Sequence, residues 1–221
     1  MNWEALCRSA DQWLFRRMMI NQQTHKGESI MSQSIVSQTV NGVDVARLGQ
    51  TVEAVRQQPS LATFQFRAAN RWIEGGHNRS TIQGFYGAGE EDRTRATAFV
   101  LDADEPPVLL GKDQGANPVE FVLHALAACL TTSMVYHAAA RGIRIDSVES
   151  RLEGDLDLRG FLGTSDKVRP GYKNIRVHFQ VASDAPAEEL QQLTTYSPVF
   201  DIVSNPVPVS VSIEVQRSKA G

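Results

Sequence analysis

A single cysteine, Cys129, stands in the stretch HALAACLTTSM, residues 124 to 134, between two alanines and two threonines inside an apolar run. A thiolate there could serve as a nucleophile and pass through a sulfenic acid. A thiol there could equally be a core group, because free cysteine is among the most buried residue types. The surrounding stretch reads as one helix from about Pro118, a favourable first residue, to about Ala140, with Gly142 as its stop. At ~1.5 Å per residue such a helix is roughly 35 Å long. On it, Val122, Ala125, Leu126, Thr132, Ser133 and Tyr136 share the side of Cys129, so the sulfur faces an apolar patch on one flank and hydroxyls on the other. The cysteine lies well beyond the first turn, where the helix macrodipole is felt, so a cation from elsewhere is needed to favour the thiolate.

Other groups of polar residues carry less chemistry. His124 and His137 are separated by about 220° around the helix, and His124 also points away from Cys129, so no zinc site is expected there. LDADEPP offers Asp102, Asp104 and Glu105, but a calcium loop needs further ligands at fixed spacing and a distal glutamate, and a solvated loop is the reading. FYGAGEED lacks the strand-to-helix context and the Lys-Ser/Thr of a phosphate loop and reads as a hairpin turn. The expectation is a protein with no metal and no organic cofactor.

The elements that must position Cys129 follow from patterning. The chain has 221 residues, a formal net charge of -3 and two cysteines, Cys7 and Cys129. That charge gives no electrostatic footprint for nucleic acid, no basic cluster marks a membrane surface, and two cysteines are too few for a secreted disulfide framework. Small-molecule partners and a cytoplasmic setting are therefore expected. The long helix is apolar enough to suggest a membrane span, but Glu120, His124 and His137 within it argue for a helix buried in protein.

Residues 1–40 read as a polar N-terminal extension, partly disordered, and residues 41–59 as an amphipathic helix capped by Asn41 or Asp44 and ended by Pro59. From residue 60 to 217 the period becomes two in ATFQFRAANRW, VESRLEGDLDL, NIRVHFQV and VPVSVSIEV. A second helix starts near Pro186. Strands wet on one face belong to antiparallel sheets with helices on the other, so the fold class is α+β. The long helix is apolar on nearly all sides and must be enclosed by a wrapping sheet or by a second subunit.

The block GANPVEFVLHALAACLTTSMVYHAAARGI, followed by strand, strand, helix and a final strand, resembles the OsmC/Ohr family of organic hydroperoxide reductases, and RWIEGGHNRSTIQGF fits the family's opening sheet. The resemblance spans roughly residues 60 to 217. It implies a swapped homodimer with mixed sheets around two long central helices, and a peroxidatic cysteine that matches Cys129. An arginine and a glutamate assist in the family. The nearest matches are Arg79, with His77 at the usual arginine place, and Glu120, one residue beyond the usual place, which Val119 occupies here.

The family's resolving cysteine precedes a proline, and this chain has Ser197 before Pro198, as in an OsmC-like subgroup without that residue. A sulfenic acid at Cys129 would then need an external thiol, or Cys7. On an ideal helix Glu120 is about 180° around and ~13 Å along from Cys129. It could act across a dimer, pair with an arginine, or favour the helix N-terminus. Two functions follow as expectations. One is a thiol-dependent reductase of small organic hydroperoxides, and the other is a non-enzymatic binder of small apolar molecules in the dimer cleft.

Overall fold

Asp44 caps the first helix. In the computed structural model, which describes residues 39–216, a short antiparallel pair, β1 (Thr39–Val40) and β2 (Val43–Asp44), runs into α1 (Val45–Gln57). The Asp44 carboxylate accepts the N–H of Arg47 at 3.0 Å, satisfying one of the donors that every helix start leaves open. Asn41, left-handed in the turn, also donates to the carbonyl of Ile143 and accepts the N–H of Ile145, both at 2.9 Å. The extension read for residues 1–40, and with it Cys7, falls outside the described residues except for Thr39 and Val40.

A three-stranded antiparallel sheet follows, in the order β3 (Ala69–Glu74), β4 (His77–Ile82), β7 (Phe99–Ala103), with the hairpin β5 (Phe85–Gly87) and β6 (Glu90–Asp92) inserted between. Ala88 and Gly89, both with positive φ, turn that hairpin, as FYGAGEED suggests. The strand expected from Ala62 begins only at Ala69. Upstream, Phe64 and Phe66 stack on Phe85 and on each other at 5.4 to 6.3 Å between ring centres. Gln65 meets Tyr86 through one isolated bridge. Aromatic packing replaces the ladder there.

The central helix α2 runs Pro118–Ala140. The Asn117 side chain accepts the N–H of Val119 at 2.9 Å and the Glu120 carboxylate accepts the N–H of Asn117 at 2.8 Å, a reciprocal cap. Gly142, at φ 71°, ends the helix. Beyond it β8 (Ile145–Asp155) and β9 (Asn174–Ser183) form a long antiparallel hairpin, with the short helix α3 (Leu158–Phe161) in its connection. Helices α4 (Ala187–Thr194) and α5 (Pro198–Ser204) return across α2. Met134 and Ala138 of α2 pack with Leu190 and Leu193 of α4, and Val148, Phe179 and Val181 of the hairpin close this core. The architecture is α+β.

Among the described residues, only one flank of α2 is covered. Leu126, Leu130 and Met134 are buried, whereas Val122 is 39% and Tyr136 49% exposed. VPVSVSIEV forms no strand. Its period-two apolar residues Val209, Val211, Ile213 and Val215 stand in solvent, 79 to 84% exposed. A strand needs a hydrogen-bonding neighbour, and this segment pairs with none of the described strands. β8 and β9 each keep one unpaired edge.

Two features of the fold yield tests. Asp104, 2% exposed, accepts the N–H groups of Glu105, Lys112 and Gln114 and so folds the connection that delivers the chain to α2. Burial pushes its carboxyl up, and the three donors outweigh it and hold it below its usual value. In that connection a Cβ on Gly115 would lie 2.1 Å from the carbonyl oxygen of Asp102. Gly115→Ala should therefore cost about 2 kcal/mol or more, read as a lower denaturation midpoint in urea.

At the other end of α2, His137 stacks on Tyr196 with ring centres 3.9 Å apart. Burial, then the charge of Arg141, pulls His137 below its usual value of 6.5. The unfolded chain thus binds a proton that the folded chain rejects, and stability falls as pH drops through the unfolded value. Between about pH 7.5 and 5.5 the wild type should lose more thermal stability than His137→Gln.

Candidate functional site

Cys129 begins the fourth turn of α2 and is half-buried, with a free thiol. Its neighbours follow from the helix period. Leu126 and Leu130 turn inward, Ser133 is buried one turn further on, and Val122 and Thr132 reach solvent. The sulfur thus sits at the border between the buried stripe and the uncovered flank. An open groove of about 980 Å³ runs beside it. Leu126, Leu130 and Met134 line one wall, and Phe179, Leu190 and Phe200 line the facing surfaces. Cys129 is not among the lining residues, so the groove lies on the adjacent face of the helix.

Arg79 lies on β4, opposite Asp102 of β7. Its Nε donates to Oδ1 of Asp102 at 2.8 Å and its Nη2 to Oδ2 at 3.1 Å, a two-point ion pair. His77 Nε2 lies 2.9 Å from the same Oδ1. The hydrogen bonds from Arg79 and then His77 hold the Asp102 carboxyl below its usual range, and Asp102 in turn raises Arg79. The pair stands near the start of α2. The carbonyl of Asp102 touches the Gly115 backbone, and Ala103 makes a parallel bridge to Ala116.

Glu120 forms the capping box already described and is exposed. The amide of Asn117, from the same cap, donates to Glu105. Tyr172, from the hairpin connection, donates its hydroxyl to the carbonyl of Val119 at 2.9 Å and closes over this end of the helix. Among the described residues no hydrogen bond or ion pair joins Cys129 to either Arg79 or Glu120. Glu120 lies in the first turn of the helix, and the thiol lies ~13 Å further along its axis.

Ser197 stands at the start of α5, almost fully buried, and its hydroxyl accepts the N–H of Phe200 at 3.1 Å. Its role is that of an N-cap. Patterning missed Asp102 as the partner of Arg79, because cross-strand pairing depends on a register that periodicity does not give. LDADEPP nevertheless held it. The stretch is not the solvated loop expected: Asp102 lies in β7 and pairs with Arg79, Asp104 is buried and folds the loop after it, and Glu105 accepts from Asn117.

A model of the family described as OsmC-like protein matches residues 111–212. The matched stretch contains Cys129, Glu120 and Ser197 and leaves Arg79 outside. No curated protein matches the chain. Among solved structures, the chain is similar to an OsmC-like protein from Mycoplasma pneumoniae, at 15% identity and a TM-score of 0.48, over 64% of this chain and 89% of that one. It is also similar to an organic hydroperoxide resistance protein OsmC from Legionella pneumophila, at 21% identity and a TM-score of 0.43, over 70% and 99% of the two chains.

The cap gives a test independent of activity. Glu120→Ala removes one half of the box and should cost about 1 kcal/mol of stability, whereas Glu120→Gln, which can still accept the Asn117 N–H, should cost less. Urea denaturation of the two variants distinguishes them.

Proposed function

From a chain whose residues 111–212 match a model of OsmC-like proteins, we propose a protein of peroxide defence that reduces organic hydroperoxides through Cys129. The observation that carries this reading is the place of Cys129. It is a free, half-buried thiol on the central helix of the matched segment, at the edge of an uncovered apolar flank that can seat an alkyl group. The thiolate attacks the terminal oxygen of the hydroperoxide. The O–O bond breaks, the alkoxide leaves and takes up a proton to become the alcohol, and Cys129 becomes a sulfenic acid.

Ser197 cannot supply a disulfide partner. An external thiol therefore condenses with the sulfenic acid, releasing water, and a second thiol frees Cys129 as the reductant leaves oxidised. Each hydroperoxide consumes two external thiols and yields one alcohol, one water and one disulfide. Arg79 assists as the cation that favours the thiolate. Among the described residues no hydrogen bond or ion pair joins it to the cysteine of its own chain, and in this reading it serves the cysteine of a second copy.

The same reading requires a homodimer. Trp72 of β3 and Phe66 upstream of it are 71% and 70% exposed, and among the described residues the flank of α2 is open and the apolar segment after α5 stands free. Surface of that extent exceeds what a monomeric protein leaves in water, and unpaired strand edges call for a neighbour. A second copy of the chain supplies both.

Two measurements test the proposal. Turnover of cumene hydroperoxide with dithiothreitol, dihydrolipoamide or thioredoxin should be lost in Cys129→Ser, and equal rates in the two proteins would rule the reading out. Affinity for apolar ligands with no thiol-dependent turnover would instead favour a binder. Light scattering at micromolar concentration should return the dimer mass, and a stable monomer would count against the assembly.

A further inference from the structure

The two-point pair on β4 and β7 commits most of one edge of the Arg79 guanidinium. Nε and Nη2 are both spent on Asp102, which leaves the Nη1 edge as the donor able to face a thiolate or a peroxide oxygen. Arg79 is 42% exposed in its side chain, and an arginine so placed would sample several rotamers without a fixed partner. Asp102 cannot easily move away, because Oδ1 also meets His77, whose side chain is only 12% exposed, and the carbonyl of Asp102 is held against Gly115. Of the surrounding charges, Arg71 stands opposite Arg79 in the β3–β4 register, a like charge that adds to the positive field there. Glu74, at the end of β3, pairs with Lys112, and Asp104 accepts three backbone donors.

We propose that Asp102 is the positioning residue for Arg79: it fixes the guanidinium by two hydrogen bonds, braced by His77, so that a pre-set cation edge is offered to Cys129 of the second copy. This rests on the reading of Arg79 as the cation that serves Cys129. Asp102 touches neither thiol nor substrate and acts only through the arginine.

The pH profile of Cys129 alkylation by iodoacetamide in the reduced protein tests it without any peroxide. Arg79→Met should raise the midpoint by about one pH unit, and Asp102→Asn should raise it by a comparable amount. The double variant should rise no further than either alone, since the two residues act as one unit. Arg79→Lys keeps the charge but cannot make the two-point pair. It should behave like Asp102→Asn, which keeps the test decisive if the latter folds poorly. A merely structural aspartate would leave the midpoint unchanged or add its effect to that of Arg79→Met. Either result overturns the proposal, as does a midpoint lowered by Asp102→Asn, which would mean that the aspartate withholds the arginine. An Arg79→Met midpoint equal to wild type also overturns it while leaving turnover through Cys129 untouched. Loss of the peroxidase reading alone would show as the expected alkylation pattern without hydroperoxide turnover.

Discussion

An apolar helix of 23 residues must be covered on more than one side, and the described residues cover α2 on one. Most other features of the molecule answer to that constraint. The hairpin of β8 and β9, together with α4 and α5, buries the stripe from Leu126 to Ala139. The opposite flank, the exposed aromatic residues of the first sheet and the free segment after α5 are all left with apolar surface in water. Burial of apolar area contributes roughly 25 cal/mol per Å², so exposure on this scale is a strong drive toward association. Cys129 sits at the border between the covered and uncovered sides.

Electrostatics organise the entrance of the helix rather than its middle. Glu120 and Asn117 satisfy the first backbone donors, Asp104 folds the loop that leads in, and Asp102 fixes Arg79 beside it. These are contacts that hold backbone and side chains in place. Glu120 in particular is spent on the cap of its own helix, which agrees with its position on the far side of α2 from the cysteine. Its chemistry with Cys129, expected from resemblance, has no contact behind it within one chain.

Much of this was legible in the sequence, for identifiable reasons. The bounds of α2 follow from Asn-Pro at one end and Gly142 at the other, because capping and the stop are local signals. The long strands β8 and β9 follow from strict alternation over eight or more residues. The segment around Phe64 and Phe66 alternates equally well yet packs its rings instead of forming a ladder, since alternation states which side chains share a face and not whether a neighbour exists to pair with. VPVSVSIEV fails to form a strand for the same reason. The site was legible as a list of residues and not as an arrangement. Spacing along α2 separates Cys129 from Glu120, but the link between Arg79 and Asp102 depends on the register of two strands more than twenty residues apart.

We propose that Cys129 is a reactive centre rather than a core thiol. It is tested most directly by trapping with dimedone after a brief pulse of cumene hydroperoxide, with the adduct located by mass spectrometry. A dimedone adduct on Cys129 that appears only after the pulse is the result expected of a peroxidatic cysteine. A Cys129 that stays reduced and unlabelled, in folded protein under the same pulse, would contradict the account.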